Sequence, residues 1–97
     1  MIGACDRFLA APETVSHAPI VAFARESPEV RIVYGPDLAG MAIGDEVPKW
    51  AQTLLLAGFV AGNVRAQLVA GRAEDDPVAG YGGVLAVYRV LREKGLS

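Results

Sequence analysis

One histidine, His17, and one cysteine, Cys5, are the residues of this chain best suited to chemistry, and Asp6 and Glu13 lie close to them in sequence. A thiol beside an imidazole is what a cysteine nucleophile needs, and thiol, imidazole and carboxylate together form a metal-ligand set. Zinc and similar ions take three or four placed ligands, however, and no recurrent spacing such as CxxC or HExxH occurs. Cys5 therefore reads as a small buried thiol and His17 as a loop residue. No catalytic residue, metal or cofactor is expected.

Three further groups invite a chemical reading. Glu74-Asp75-Asp76 is a carboxylate run, but it lacks the alternating ligand pattern of a calcium loop. Acidic residues before a helix, with Arg89, Arg92 and Lys94 towards its far end, complement the helix dipole instead. Gly80 to Gly83, GYGG, has neither the preceding strand nor the following Lys-Ser/Thr of a phosphate loop. Trp50, Tyr34 and Arg65 are the residues from which a pocket at a subunit interface would draw, and Arg65 reads as reaching the rim or pairing with a carboxylate.

Composition says more about association than about reaction. Hydrophobic residues make up 53% of the 97 residues before 11 glycines are counted, and the mean hydropathy is +0.33. Globular domains reach about 45–50% apolar with glycine included. So small a chain has a large surface for its volume, which leaves too little polar material to cover it and predicts an apolar patch met by a partner. A net charge of −2 argues against nucleic acid, whose binders carry clustered basic surface. A lone cysteine implies a reducing cytoplasm, and no signal peptide or membrane span is read from the sequence. The apolar run from Thr53 to Val64 falls short of the roughly 20 residues a spanning helix needs.

The elements that would position these groups are helices. Residues 2–11 form a short helix with Ile2, Cys5 and Leu9 on one side, closed by Pro12. Pro19 opens a second, running to about Glu26, with Ile20, Phe23 and Ala24 on one face. For residues 27–36, Ser27-Pro28-Glu29 and Gly35-Pro36 punctuate a short helix. The competing reading pairs Val30–Tyr34 with Met41–Ile43 as a β-hairpin near 30–44, which would make the fold α+β. Asp45-Glu46 cap the long helix, which spans Val47 to Gly71 with Pro48 in its first turn. A short polar loop leads to Asp76-Pro77, as cap and first position of the last helix. The expected fold is thus an all-α single domain over 1–97: N-terminal segments over 1–46, then an antiparallel αα-hairpin over 47–97.

The last helix presents one stripe, Gly80, Val84, Val87, Tyr88 and Leu91, with Tyr81 and Tyr88 at its rim. The long helix carries a stripe of Trp50, Leu54, Ala57, Gly58, Ala61, Val64 and Leu68, while Lys49, Gln52, Asn63 and Gln67 read as its solvent face. Among those polar residues sit Leu56, Phe59 and Val60, a second apolar patch to be covered by the N-terminal segments or by another chain. This patch is the expected interface. Gly58 and Gly62, with Gly80 and Gly83 opposite, predict close helix packing within the chain. The function expected is a non-enzymatic protein-interaction or oligomerisation module, a homo-oligomer or a small subunit of a cytoplasmic assembly. A small-molecule or enzymatic pocket at a subunit interface is the alternative, and a DNA-binding regulator a more distant one.

Overall fold

The computed structural model describes residues 1–32 and 48–93. Four helices account for nearly three quarters of these residues, and no strand occurs among them, so the fold is all-α. They are α1 (Ile2–Ala10), α2 (Ala18–Glu26), α3 (Lys49–Ala70) and α4 (Pro77–Glu93). The long helix α3 packs against all three others, and α1 also touches α4.

The turn between α3 and α4 falls where its punctuation says. Gly71 adopts φ 71°, a left-handed conformation that glycine reaches without a Cβ penalty. The Arg72 N–H then donates to the Gln67 carbonyl and the Gly71 N–H to that of Leu68, the two bonds of a Schellman close. Asp76 Oδ1 accepts from the Ala79 N–H at 3.1 Å and so caps α4. At the start of α3, Pro48 holds the N-cap position without a side-chain bond; the capping read for Asp45-Glu46 lies outside the described residues.

Between the two helices the backbones meet with almost nothing in between. A Cβ on Gly58 would come within 2.8 Å of the Gly83 carbonyl oxygen and 2.7 Å of Val87 Cγ2. Gly62 faces the Ala79 carbonyl and Gly83, while the Phe59 ring occupies the space beside Gly80. The core continues across α3 through Ala57, Val60, Ala61 and Val64 to Cys5, Phe8 and Ile20.

Several expectations need correction. On α1 the buried residues are Cys5 and Phe8, with Leu9 half-buried and Ile2 exposed, because the helix rests on α3 along its Cys5–Phe8 edge. No helix forms over 27–32: Ser27 Oγ accepts from the Glu29 N–H at 3.1 Å in a local turn, and the chain then runs irregularly past the buried Val30. The rest of the proposed hairpin, Met41–Ile43 included, and Tyr34 lie outside the described residues. Trp50 is 56% exposed rather than part of the core stripe, and Tyr88 faces outward on α4. Asn63 and Gln67 are not a solvent face at all; they are fully and nearly fully buried.

By length and composition α3 is, among the described residues, the one helix able to cross a membrane. More than half of its apolar window, 56%, is buried by the chain's own helices.

Candidate functional site

The chemical candidates of the sequence do not converge. Cys5 is enclosed beneath α1, and burial pushes its thiol above the usual range, which keeps it protonated and unreactive. The His17 ring stands edge-on to Phe8, centroids 6.0 Å apart. No group of three His, Cys, Asp or Glu side chains is placed to hold a metal among the described residues. Arg65 Nε donates to Asp6 Oδ1 at 2.5 Å, both side chains about half exposed. Trp50 and Arg65 stand fifteen residues apart on the same straight helix, roughly 22 Å. They cannot share one small pocket.

The carboxylate run is structural. Asp75 Oδ1 accepts from Asn63 Nδ2 at 2.8 Å, and Asn63 Oδ1 accepts from the Asp76 N–H at 2.9 Å and from Gln67 Nε2 at 2.6 Å. Gln67 in turn grips the backbone of Arg31 on both its N–H and its carbonyl. Every buried side-chain nitrogen and oxygen among the described residues has a partner, as burial of polar groups requires. One network thus ties the loop before α4, the long helix and the chain after α2.

Two larger surface features stand out among the described residues, beside a small cavity of about 260 Å³ at Glu29, Leu68 and Gly71. The first is a groove of about 520 Å³ between α2 and α3, walled by Val21, Ala22, Leu56, Ala57 and Val60. His17, Arg25 and Thr53 supply its polar border, and one side lies open to solvent. Of the three residues expected at an interface, Leu56 is exposed at this groove, Val60 is buried in its floor, and Phe59 is buried under α4. Phe59 meets Tyr81 edge-on with centroids 5.7 Å apart, so much of the second apolar patch is covered within the chain.

The second feature lies on the outer face of α4. Nine large hydrophobic residues are exposed among those described, and four of them, Val78, Tyr81, Leu85 and Tyr88, belong to this one face. Their spacing is three, four, three, the rhythm of a helix seam. Val78 is 78% and Leu85 55% exposed, while Gly80, Gly83 and Val87 on the opposite face are buried against α3. The helix therefore has two apolar faces. The periodicity that shows the outer one is present in the sequence, where the inner stripe and Tyr88's place at its rim conceal it.

A small all-α domain, with a buried polar tie and an uncovered apolar helix face, is what fold and surface together define. Comparison with family models, with curated proteins and with solved structures gives no match for this chain.

Proposed function

We propose that the chain is a non-enzymatic protein-interaction or oligomerisation module, and that the outer face of α4 is its contact surface. The observation that carries this reading is the aligned exposure of Val78, Tyr81, Leu85 and Tyr88. Aligned apolar side chains on a helix are an unmet packing face, and coverage by another protein removes their surface from water. Leu56 and Trp50 on α3 add exposed apolar surface elsewhere. The lone Cys5, which has no partner for an internal disulfide, fits a reducing cytoplasmic setting.

The test is site-specific photo-crosslinking in the cells that make the protein. A photoreactive side chain replacing Leu85 gives a covalent protein adduct, while one replacing Thr14, exposed after α1, gives none. Absence of any protein adduct from position 85 in a folded chain overturns the reading.

A second reading rests on the α2–α3 groove. Its volume falls within the roughly 300–1,000 Å³ of small-molecule sites, and its apolar walls with a polar border suit an amphipathic anion met by Arg25. Mass spectrometry of the protein under non-denaturing conditions decides it: a co-purifying small molecule displaced by Val60→Trp favours the groove. DNA binding draws no support from α4, whose first turns present Val78 and Tyr81 where a recognition helix carries basic and amide side chains.

A further inference from the structure

We infer, on the interaction reading above, that the partner of α4 is a second copy of the chain, with the two α4 helices antiparallel about a two-fold axis that passes through the outer face between Tyr81 and Leu85.

The spacing of the stripe is symmetric about position 83. Val78 and Tyr88 lie equally far on either side of it, and so do Tyr81 and Leu85. An antiparallel pairing therefore sets Val78 against the partner's Tyr88 and Tyr81 against the partner's Leu85. Each layer combines one aromatic ring with one aliphatic side chain, so the face complements itself, as an isologous contact must.

Charge selects the direction. The loop leading into α4 carries Glu74, Asp75 and Asp76 against Arg72, and its last turns carry Arg89 and Arg92 against Glu93, so the two ends stay net acidic and net basic. Antiparallel helices bring the acidic end of each beside the basic end of the other, and their dipoles oppose. A parallel pair would set like charge against like.

Gly82 supplies an independent indication. Glycine inside a helix costs stability, and Gly80 and Gly83 are explained by what lies against them. Among the described residues, a Cβ on Gly82 would meet nothing within 4 Å. It flanks the stripe beside the proposed axis, where the absence of a side chain lets a second helix approach. The stripe spans only three turns, which places the contact in the size class of small, transient interfaces.

Sedimentation velocity of the purified full chain, from about 1 to 100 μM, tests the association. The expected result is a concentration-dependent monomer–dimer equilibrium whose dissociation constant rises at least about tenfold in Leu85→Glu and in Val78→Lys. Circular dichroism of both variants stays that of the parent, since neither side chain is buried. Direction is read from single cysteines placed in a Cys5→Ala background. Gly82→Cys, beside the axis, oxidises to a disulfide-linked dimer and Val78→Cys does not. A chain that stays monomeric throughout, a dimer indifferent to both charged variants, or equal linking at 78 and 82 overturns the inference. The adduct mass from position 85 separates the two proposals. Twice 10.2 kDa supports self-pairing; an adduct of any other mass leaves the interaction reading standing and ends this one.

Discussion

Gln67 meets Arg31 as one β-strand meets another: Oε1 accepts from the Arg31 N–H and Nε2 donates to the Arg31 carbonyl, both at 2.7 Å, across 36 residues of sequence. A side-chain amide carries the same donor and acceptor as a peptide group, so it can satisfy a backbone that has no strand beside it. Asn63, one turn earlier on α3, extends the tie to Asp75 and Asp76. The pair fixes the chain beyond α2 to the hairpin.

Replacing Gln67 with alanine strands the Arg31 N–H and carbonyl and leaves Asn63 Oδ1 with only the Asp76 N–H, and is expected to cost about 2 kcal/mol. Gln67→Glu keeps the acceptor for the Arg31 N–H but buries a carboxylate and loses both donated bonds. Burial raises that carboxyl's pKa in the folded state, so the unfolded chain releases its proton first and stability falls as pH rises. Urea midpoints should therefore show Gln67→Glu weaker at neutral pH than near pH 4, measured relative to the parent.

Two neighbouring glycines of α4 should respond oppositely to alanine. In Gly83→Ala the new methyl runs into the Gly58 carbonyl, backbone that cannot yield without parting the helices, and the loss should exceed about 2 kcal/mol. Gly82→Ala meets open space and should stabilise the monomer by about 0.5–1 kcal/mol. Thermal unfolding in dilute solution compares them. Equal effects would contradict the packing described for this helix.

Cys5 gives a pH signature. Its folded pKa is raised by burial, so above the ordinary thiol range the unfolded chain ionises while the folded one does not. The stability is fully present below the unfolded thiol's pKa and is lost as pH rises from there towards the folded pKa. Denaturant titrations between pH 7 and about 10 should show this alkaline loss in the parent and less of it in Cys5→Ala. A thiol reagent should modify the native chain only at the rate of opening.

Much of this architecture follows from local signals. Pro19 near the start of α2, Gly71 at the end of α3 and Asp76-Pro77 before α4 act on their own backbone, so the helices and the hairpin are readable from residue types alone. The glycines that make the α3–α4 contact possible are equally legible, because mid-helix glycine needs a reason. The candidate site was only half so. The 3-4-3 spacing of Val78, Tyr81, Leu85 and Tyr88 is in the sequence, but which of the two faces of α4 turns inward depends on where α3 lies.

Periodicity assigns a polar residue on a helix to water, and on that ground Asn63 and Gln67 belong outside. Tertiary structure overruled it, because their partners come from the Arg31 backbone and from the loop before α4. The patch of Leu56, Phe59 and Val60 divided for the same reason: Gly80 leaves room for the Phe59 ring, and only the approach of α4 reveals it. Local punctuation and helical period are properties of neighbouring residues, which the sequence by itself determines. Burial is decided by segments distant in the chain, and these the three-dimensional packing alone brings together.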